Sequence, residues 1–394
     1  MATRDWKEET VAAHLARRGE PGPMVDPISV SATYRLRDVK AGARYALEKA
    51  PTTFYSRWGM PTNRAVEEAV AALEGGTHAL ATASGMGAIS SVILATLSQG
   101  DHVVAGKGLY TATAEILLRC LPRFGVETTL VDPTRPGAFR EAVREETALV
   151  YIETPANPTM FLTDIREAAE AAHEVGALAL ADNTFASPIN QRPLEHGADV
   201  VLHSATKYLG GHGDVMGGVV VTGDQTLYEE IWEMYKLLGP TLGAVDAFLI
   251  GRGIRTLPLR VRRQNHTAQG LAEFLEDDRR VAAVHHPGLP SFPQHDLARR
   301  QMRGFGGVFS FDLAGGYKAA VRFAEGVELA SLAVSLGGVE TLVEHAASIT
   351  HGTLTADERT AAGIPEDLVR VSVGLEDLED LKEDFAQALA RSAS

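Results

Sequence analysis

Short apolar segments alternate with amphipathic segments through the first two thirds of the chain. A period-2 or continuous apolar pattern predicts strands at THALATAS, DHVVAG, VETTLVD, ALVYIETP, GALALADN and ADVVLHSA. A helical period predicts helices at NRAVEEAVAAL, MGAISSVILATL, TAEILLRCLPRFG and DIREAAEAAHEVG. Because short apolar strands that alternate with helices form mostly parallel sheets with helices on both faces, this part of the chain predicts an α/β fold.

The pattern changes at both ends of the chain. The first 60 residues combine a short amphipathic helix near Thr10–Arg18 with irregular chain through PGPMVDP, which indicates an arm. From about Asp246 a long polar helix is followed by GGVFSFDLAG and LVRVSVG, which indicates a smaller α+β unit. We therefore expect an N-terminal arm over 1–60, a large domain over 61–245 and a C-terminal domain over 246–394.

Composition and charge restrict the class of protein. The 394 residues are 45% hydrophobic, and 37 Lys and Arg face 51 Asp and Glu, a net charge of −14. An acidic chain lacks the electrostatic character of a nucleic-acid binder, so the sequence predicts no nucleic-acid partner. Cys120 is the only cysteine, which excludes an internal disulfide, and we expect it to be a buried apolar thiol. The absence of a long apolar run or an apolar leader predicts a cytoplasmic protein with no membrane partner.

One lysine lies just past the predicted strand ADVVLHSA. Lys207 lies between the hydroxyl residues Ser204 and Thr206 and a glycine-rich segment, GGHGDVMGG. Glycines let the backbone approach a ligand closely. A partly desolvated lysine favours its neutral form, which is the nucleophile that a carbonyl cofactor requires.

A carboxylate ends the preceding predicted strand. Asp182 follows the apolar run LALA, and its strand and that of Lys207 are successive strands of the predicted sheet. We therefore expect the two residues to lie at one rim of the sheet, where ligands gather in α/β folds. A carboxylate there would keep a ring nitrogen protonated, as pyridoxal phosphate requires.

The segment ATASGMGAISS predicts a turn from a strand into a helix. The N–H groups of Gly85, Met86 and Gly87 would point outward at the positive end of the helix dipole, which suits a phosphate. A nicotinamide-dependent dehydrogenase is the alternative, since Asp101 lies at the spacing of a ribose-binding acid. However, the segment has GxG without the third glycine of GxGxxG. The 13 histidines form no HExxH motif, and we expect no metal site.

Several segments together resemble the Cys/Met-metabolism family of pyridoxal-phosphate enzymes, which includes methionine γ-lyase and the cystathionine γ-lyases and γ-synthases. The resemblance is carried by YSRWGMPTNR, ATASGMGAI, ETPANPT, ADNTFASP, HSATKYLGGHGDVMGG, AVSLGGVETL and LVRVSVGLEDLEDL, in that order along nearly the whole chain. It implies a fold-type I, aspartate-aminotransferase-like subunit. It also implies pyridoxal 5′-phosphate as cofactor and a homotetramer of two dimers with active sites shared across each dimer.

The resemblance also implies roles for individual residues. Lys207 would bind the cofactor covalently and act as catalytic base, and Asp182 would contact the ring nitrogen. Tyr110 would stack on the ring and assist the leaving group. The cofactor phosphate would be held by Gly85, Met86, Ser204 and Thr206, with Tyr55 and Arg57 reaching it from the neighbouring subunit. The substrate carboxylate would be bound by Arg370 and Ser335, with Asn157 beside the cofactor or substrate.

The implied activity is γ-elimination from a sulfur amino acid, and the motifs resemble those of methionine γ-lyases most. Ala112 stands where methionine γ-lyases have a cysteine, and Glu115 stands where cystathionine enzymes have an arginine for the distal carboxylate. An acid at that position disfavours cystathionine, because like charges repel. Glu340, however, resembles a glutamate of the cystathionine enzymes. Cystathionine γ-lyase and a γ-replacement enzyme, such as cystathionine γ-synthase or an O-acylhomoserine sulfhydrylase, therefore remain as alternatives.

Overall fold

Two β-sheets organise the chain in the computed structural model, which describes residues 6–15, 23–361 and 363–392. The strands of the first sheet are β1 (His78–Thr82), β2 (His102–Gly106), β3 (Glu127–Val131), β4 (Thr147–Glu153), β5 (Leu178–Asp182), β6 (Val200–Ser204) and β7 (Gly218–Thr222). Those of the second sheet are β8 (Val281–His285), β9 (Val308–Leu313), β10 (Ser331–Leu332), β11 (Leu342–His345) and β12 (Leu368–Ser372).

Helices surround both sheets. In the first half of the chain they are α1 (Glu8–His14), α2 (Val39–Leu47), α3 (Pro61–Glu74), α4 (Gly85–Thr96), α5 (Thr111–Glu115), α6 (Ala138–Ala142), α7 (Ile165–Glu174) and α8 (Ser187–Asn190). In the second half they are α9 (Gln225–Leu238), α10 (Ala244–Ile254), α11 (Leu257–Glu276), α12 (His295–Gln301), α13 (Gly316–Gly326), α14 (Ala356–Ala361) and α15 (Leu378–Ser392).

The first sheet has the order β1-β7-β6-β5-β4-β2-β3. Strands β6, β5, β4, β2 and β3 pair in parallel, whereas β7 is antiparallel to both of its neighbours, β6 and β1. Every residue of β2 and β7 is buried, as expected for the apolar sequences HVVAG and GVVVT between two layers of helices. The mostly parallel α/β prediction is confirmed, but the sequence did not indicate β7, whose short valine run lies between glycines.

The second sheet has the order β10-β11-β12-β9-β8 and is mostly antiparallel. Phenylalanines on β9, α13 and α15 form its core, with the Phe311 and Phe323 rings 5.1 Å apart and the Phe323 and Phe385 rings 5.3 Å apart. The predicted polar helix corresponds to α11. A smaller sheet with helices in the last third of the chain agrees with the predicted α+β character.

Three predictions need correction or restriction. The single helix predicted at TAEILLRCLPRFG is α5 followed by a π-helical segment, Ile116–Cys120, and a 3₁₀ turn, Leu121–Phe124. Pro122 explains the change, because it has no N–H to continue an α-helix. Cys120 is exposed, so the prediction of a buried thiol is wrong. The last part of the helix predicted near Thr10–Arg18 lies outside the described residues.

None of the described helices combines the length and the apolar character that crossing a bilayer requires.

Candidate active site

The carboxyl ends of β5 and β6 and the start of α4 meet at one rim of the first sheet. Asp182 is the last residue of β5, and Lys207 follows the end of β6, its parallel neighbour. The Lys207 N–H donates to the Ser204 carbonyl oxygen at 3.1 Å, which turns the chain at the strand end. Strand β7 lies between β6 and β1, so the β1–α4 junction belongs to the same rim. Asp182 and Lys207 therefore share the rim that the sequence predicted.

The start of α4 has donors available for an anion. Ser84 caps the helix by accepting a hydrogen bond from the Gly87 N–H at 3.0 Å. Among the described residues, the N–H groups of Gly85 and Met86 have no hydrogen-bond partner. Free N–H groups at the positive end of a helix dipole suit an anionic ligand, phosphate above all.

The space in front of these donors depends on Gly85. A Cβ atom at position 85 would lie 3.0 Å from the Ser204 Cβ atom and 3.2 Å from its Oγ atom. The Thr206 hydroxyl accepts from the Gly217 N–H at 3.1 Å and lies 3.3 Å from the Gly217 carbonyl oxygen. The gap between α4 and the end of β6 is therefore a narrow polar cradle that a side chain at position 85 would fill.

A hydrogen bond to the C-terminal part of the chain fixes the Lys207 amine. Its Nζ atom donates to the Ser335 Oγ atom at 2.8 Å. Burial, together with the charge of Arg370, lowers the pKa of Lys207 from 10.5 to about 8, although the Glu344 carboxylate opposes the change. At neutral pH a useful fraction of the amine is thus neutral and nucleophilic.

Arg370 on β12 connects the second sheet to this rim. Its guanidinium is 3% exposed and donates to the Asn157 Oδ1 atom at 2.9 Å and to the Ser335 carbonyl oxygen at 2.8 Å. The Glu344 carboxylate, opposite Arg370 in the β11–β12 ladder, pairs with it at 3.1 Å. The Nε atom is buried and has no partner in the described part of the chain. That free N–H can donate to a ligand oxygen.

Two carboxyl groups end the neighbouring strands β4 and β5. Glu153 and Asp182 are paired Cα partners in the parallel ladder. Burial raises the pKa of both groups, and the charge of Asp182 helps to raise that of Glu153 to about 8. Hydrogen bonds from Thr184 oppose the change at Asp182, whose Oδ1 atom accepts from the Thr184 N–H at 3.0 Å.

Tyr110 is held at the same rim by its backbone. Its N–H donates to the Glu153 Oε2 atom at 2.8 Å, while its side chain remains 46% exposed. The following residue, Thr111, donates from its hydroxyl to the Thr350 carbonyl oxygen at 3.2 Å. An exposed ring on a fixed backbone can stack on a planar ligand.

Hydrogen bonds and ion pairs connect a bonded group of site residues, namely Lys207, Ser335, Arg370, Asn157, Glu344, Glu153 and Tyr110. Four predicted site residues lie apart from this bonded group. Within the described ranges, no hydrogen bond or ion pair joins Tyr55, Arg57, Glu115 or Glu340 to it. Tyr55 and Arg57 line a separate cavity of about 360 Å³, with the Arg57 guanidinium 5.4 Å from the Tyr55 ring centroid. Glu115 is half-exposed and 4.0 Å from Arg119, and Glu340 is exposed.

Two residues of the bonded group, Glu153 and Glu344, were not among the predicted site residues. Glu153 lies near the end of the predicted strand ALVYIETP, so it carries the same sequence signal as Asp182, a carboxylate after an apolar run. Glu344 carries no such signal, because its burial against Arg370 depends on the pairing of β11 with β12.

The donor set fits a ligand with three parts. The α4 cradle suits a phosphate, the Lys207 amine suits an electrophilic carbon, and the Asp182 carboxylate suits a protonated ring nitrogen. In the described ranges, no three or more His, Cys, Asp or Glu side chains are grouped to hold a metal ion.

Comparisons with known proteins agree with this donor set. The family model of the Cys/Met metabolism PLP-dependent enzymes matches residues 9–390. L-methionine γ-lyase of Porphyromonas gingivalis is 45% identical over 93% of each chain. O-succinylhomoserine sulfhydrylase of Pseudomonas aeruginosa is 41% identical over 97% of this chain and 95% of its own. The structure of cystathionine γ-synthase from Xanthomonas oryzae pv. oryzae superposes with a TM-score of 0.92 at 40% identity and covers 99% of both chains.

Proposed function

The chain belongs to the Cys/Met metabolism PLP-dependent enzymes, and from this membership we propose that it is a carbon–sulfur lyase acting by γ-elimination. Its preferred substrate is L-methionine or another S-alkyl homocysteine. With methionine and water, the products are 2-oxobutanoate, ammonia and methanethiol. The observation that carries the proposal is the Lys207–Ser335–Arg370 connection, in which Ser335 bonds both the partly buried Lys207 amine and the buried Arg370 guanidinium.

The cofactor is pyridoxal 5′-phosphate, and we assign its binding to the rim. Lys207 binds it covalently, Asp182 contacts the ring nitrogen and Tyr110 stacks on the ring. The unpartnered N–H groups of α4 support the placement of the phosphate. The proposed phosphate-binding residues are Gly85, Met86, Ser204 and Thr206, together with Tyr55 and Arg57 of the neighbouring subunit.

Arg370, Ser335 and Asn157 bind the α-carboxylate in this proposal. The free Arg370 Nε atom supports it, because a guanidinium that offers a further N–H can hold a carboxylate by a charge-assisted bond. Asn157 and Glu344 fix the orientation of the guanidinium from the opposite side. A substrate with an α-carboxylate is thereby preferred over a simple amine.

Bound pyridoxal phosphate supplies an aldehyde for the substrate amine and a ring that withdraws electrons from Cα. Once the substrate amine has displaced it from the aldehyde carbon, the free Lys207 amine would act as the general base that removes the Cα proton and then a Cβ proton, whose loss lets the Cγ–S bond break. The pKa of about 8 that Lys207 has in the cofactor-free chain suits a base near neutral pH. The Tyr110 hydroxyl donates a proton to the departing sulfur. Asp182 keeps the proton on the ring nitrogen throughout.

We also propose a homotetramer of two dimers, in which each active site is completed by a neighbour. The N-terminal arm supports this assembly. Helix α2 has no buried residue in the single chain, and Val39 and Leu47 on it are 89% and 85% exposed. We further propose three domains, over 1–60, 61–245 and 246–394, and a cytoplasmic location. A chain with one cysteine gains nothing from an oxidising compartment.

A second candidate is a γ-replacement enzyme, which the sulfhydrylase and synthase relatives favour. Cystathionine γ-lyase is the third candidate. Glu115 argues against it, because a carboxylate at this position would repel the distal carboxylate of cystathionine, which an arginine would bind. Glu340 and Glu115 would instead attract a distal ammonium. The nicotinamide-dependent alternative is wrong for this family. Asp101, its ribose-binding candidate, accepts a hydrogen bond from the Ser98 N–H at 2.6 Å within its own turn.

One set of incubations separates these candidates. The purified enzyme is given methionine, cystathionine, or O-acetylhomoserine with and without sulfide, and 2-oxobutanoate and thiol products are measured. We expect 2-oxobutanoate and methanethiol from methionine. Formation of replacement products alone would refute the lyase proposal. Borohydride reduction followed by mass spectrometry should place the cofactor on Lys207 and lose that adduct in Lys207→Ala.

A further inference from the structure

Glu153 is a buried carboxyl group that the proposed mechanism does not use. It is the last residue of β4 and is 7% exposed. Its strand partner in the ladder is Asp182, so the two side chains leave the sheet on the same face and at the same edge. Glu153 therefore lies directly beside the residue assigned to the cofactor ring.

The same carboxyl group contacts two further residues of the site. Its Oε2 atom accepts the Tyr110 N–H at 2.8 Å, and the Asn157 backbone also donates to it. Tyr110 precedes α5 and Asn157 follows β4, so Glu153 holds together two segments that are far apart in sequence.

Neighbouring charges decide which carboxyl group carries a proton. Two adjacent buried carboxylates cannot both ionise at low cost, because like charges repel strongly away from water. The Tyr151 hydroxyl on β4 donates to the Asp182 Oδ2 atom at 3.5 Å, and His203 on β6 acts to lower the pKa of Asp182. Thr184 also donates to Asp182. The pKa of Glu153 is raised to about 8. The anion therefore belongs on Asp182 and the proton on Glu153.

We propose that Glu153 is a positioning residue that holds a proton at neutral pH, so that Asp182 alone bears the negative charge, and that fixes the Tyr110 backbone. The inference rests on the proposed function for the roles of Asp182 and Tyr110. A protonated Glu153 also keeps one oxygen free to accept the Tyr110 N–H, because a carboxylic acid retains its carbonyl acceptor.

Infrared spectroscopy of the full-length chain tests where the proton lies. With pyridoxal phosphate bound and with it removed, the wild type at about pH 7 should show the carbonyl stretch of a protonated carboxyl group. We expect this band to titrate away near pH 8 and to be missing in Glu153→Gln. The control is Glu67→Gln, which removes another buried glutamate that accepts a backbone N–H, from Ala81 at 3.1 Å. The band should persist in that variant.

Amide hydrogen exchange tests the positioning role separately. Glu153→Gln keeps a carbonyl acceptor, so the Tyr110 amide should exchange within about threefold of its wild-type rate. Glu153→Leu removes the acceptor and should speed that exchange about tenfold or more. An absent band at pH 7, a band that persists in Glu153→Gln, or equal exchange in the two variants would overturn the inference. Failure to bind pyridoxal phosphate would instead refute the proposed function, because the band of the cofactor-free chain does not depend on it.

Discussion

The buried amine of Lys207 should make the stability of the cofactor-free protein depend on pH. Its pKa falls from 10.5 in the unfolded chain to about 8 in the folded one. At about 1.4 kcal/mol per factor of ten, this displacement corresponds to roughly 3 kcal/mol. Because the folded-state pKa is the lower one, the ammonium destabilises the folded protein below about pH 8. The free energy of unfolding should then rise as the pH increases towards 10.5.

The Lys207→Met variant isolates this effect, because methionine fills similar space without a charge. At about pH 7 the variant should be more stable than the wild type by an amount that includes the cost of the buried ammonium. At about pH 9.5 the free energy of unfolding of the wild type should be roughly 2 kcal/mol higher than at pH 7 on account of Lys207. The difference in this free energy between the two proteins should therefore shrink by that amount.

Urea unfolding of both cofactor-free proteins at several pH values measures the difference. Lys318 is exposed on α13, and Lys318→Met is the matched control, for which the difference from the wild type should stay constant with pH. If the Lys207→Met difference also stays constant within about 0.5 kcal/mol, the amine is not desolvated and the argument for its nucleophilic form is wrong.

Three further outcomes follow from the site. Arg370→Lys should lower kcat/KM for methionine by about 100-fold, mainly through KM, because lysine cannot reproduce the guanidinium geometry; steady-state kinetics measure this. Glu344→Gln should move the pKa of the neighbouring lysine further down, since the Glu344 charge raises it; the pH dependence of amine labelling in the cofactor-free protein is the readout. Gly85→Ala should weaken cofactor binding about tenfold, because its Cβ atom would crowd Ser204, whereas Gly223→Ala, in open space, should not; cofactor titration by fluorescence compares them.

Much of the rim was predictable because it depends on local sequence and on one rule of parallel sheets. Lys207 and Asp182 each follow an apolar strand, and parallel strands place their carboxyl ends at one edge. The turn at Gly85 was recognisable from its small residues before a helix. The α/β fold and the family were likewise evident from the sequence and are confirmed. The roles of the individual site residues stay predictions.

The remaining features depend on long-range pairing that sequence periodicity does not encode. Glu344 is buried because β11 pairs with β12, and the antiparallel β7 follows a glycine-rich segment that reads as loop. Cys120 is exposed at the end of a π-helical segment, Ile116–Cys120, that the sequence pattern did not indicate. The proposed role of Tyr55 and Arg57 is in the site of a neighbouring subunit, which a single chain does not contain.

The position of β7 between β1 and β6 has a consequence for synthesis. In the part of the chain that the structure describes, β1 lies at the sheet edge, and β7, whose last residue is Thr222, is its one strand partner besides an isolated bridge from Thr82 to Thr241. A nascent chain emerging from the ribosome must therefore keep β1 unpaired until residue 222 has left the exit tunnel. Such delayed pairing leaves an apolar strand open to aggregation, so slower translation beyond this point or chaperone binding near residue 80 should affect the yield of native protein.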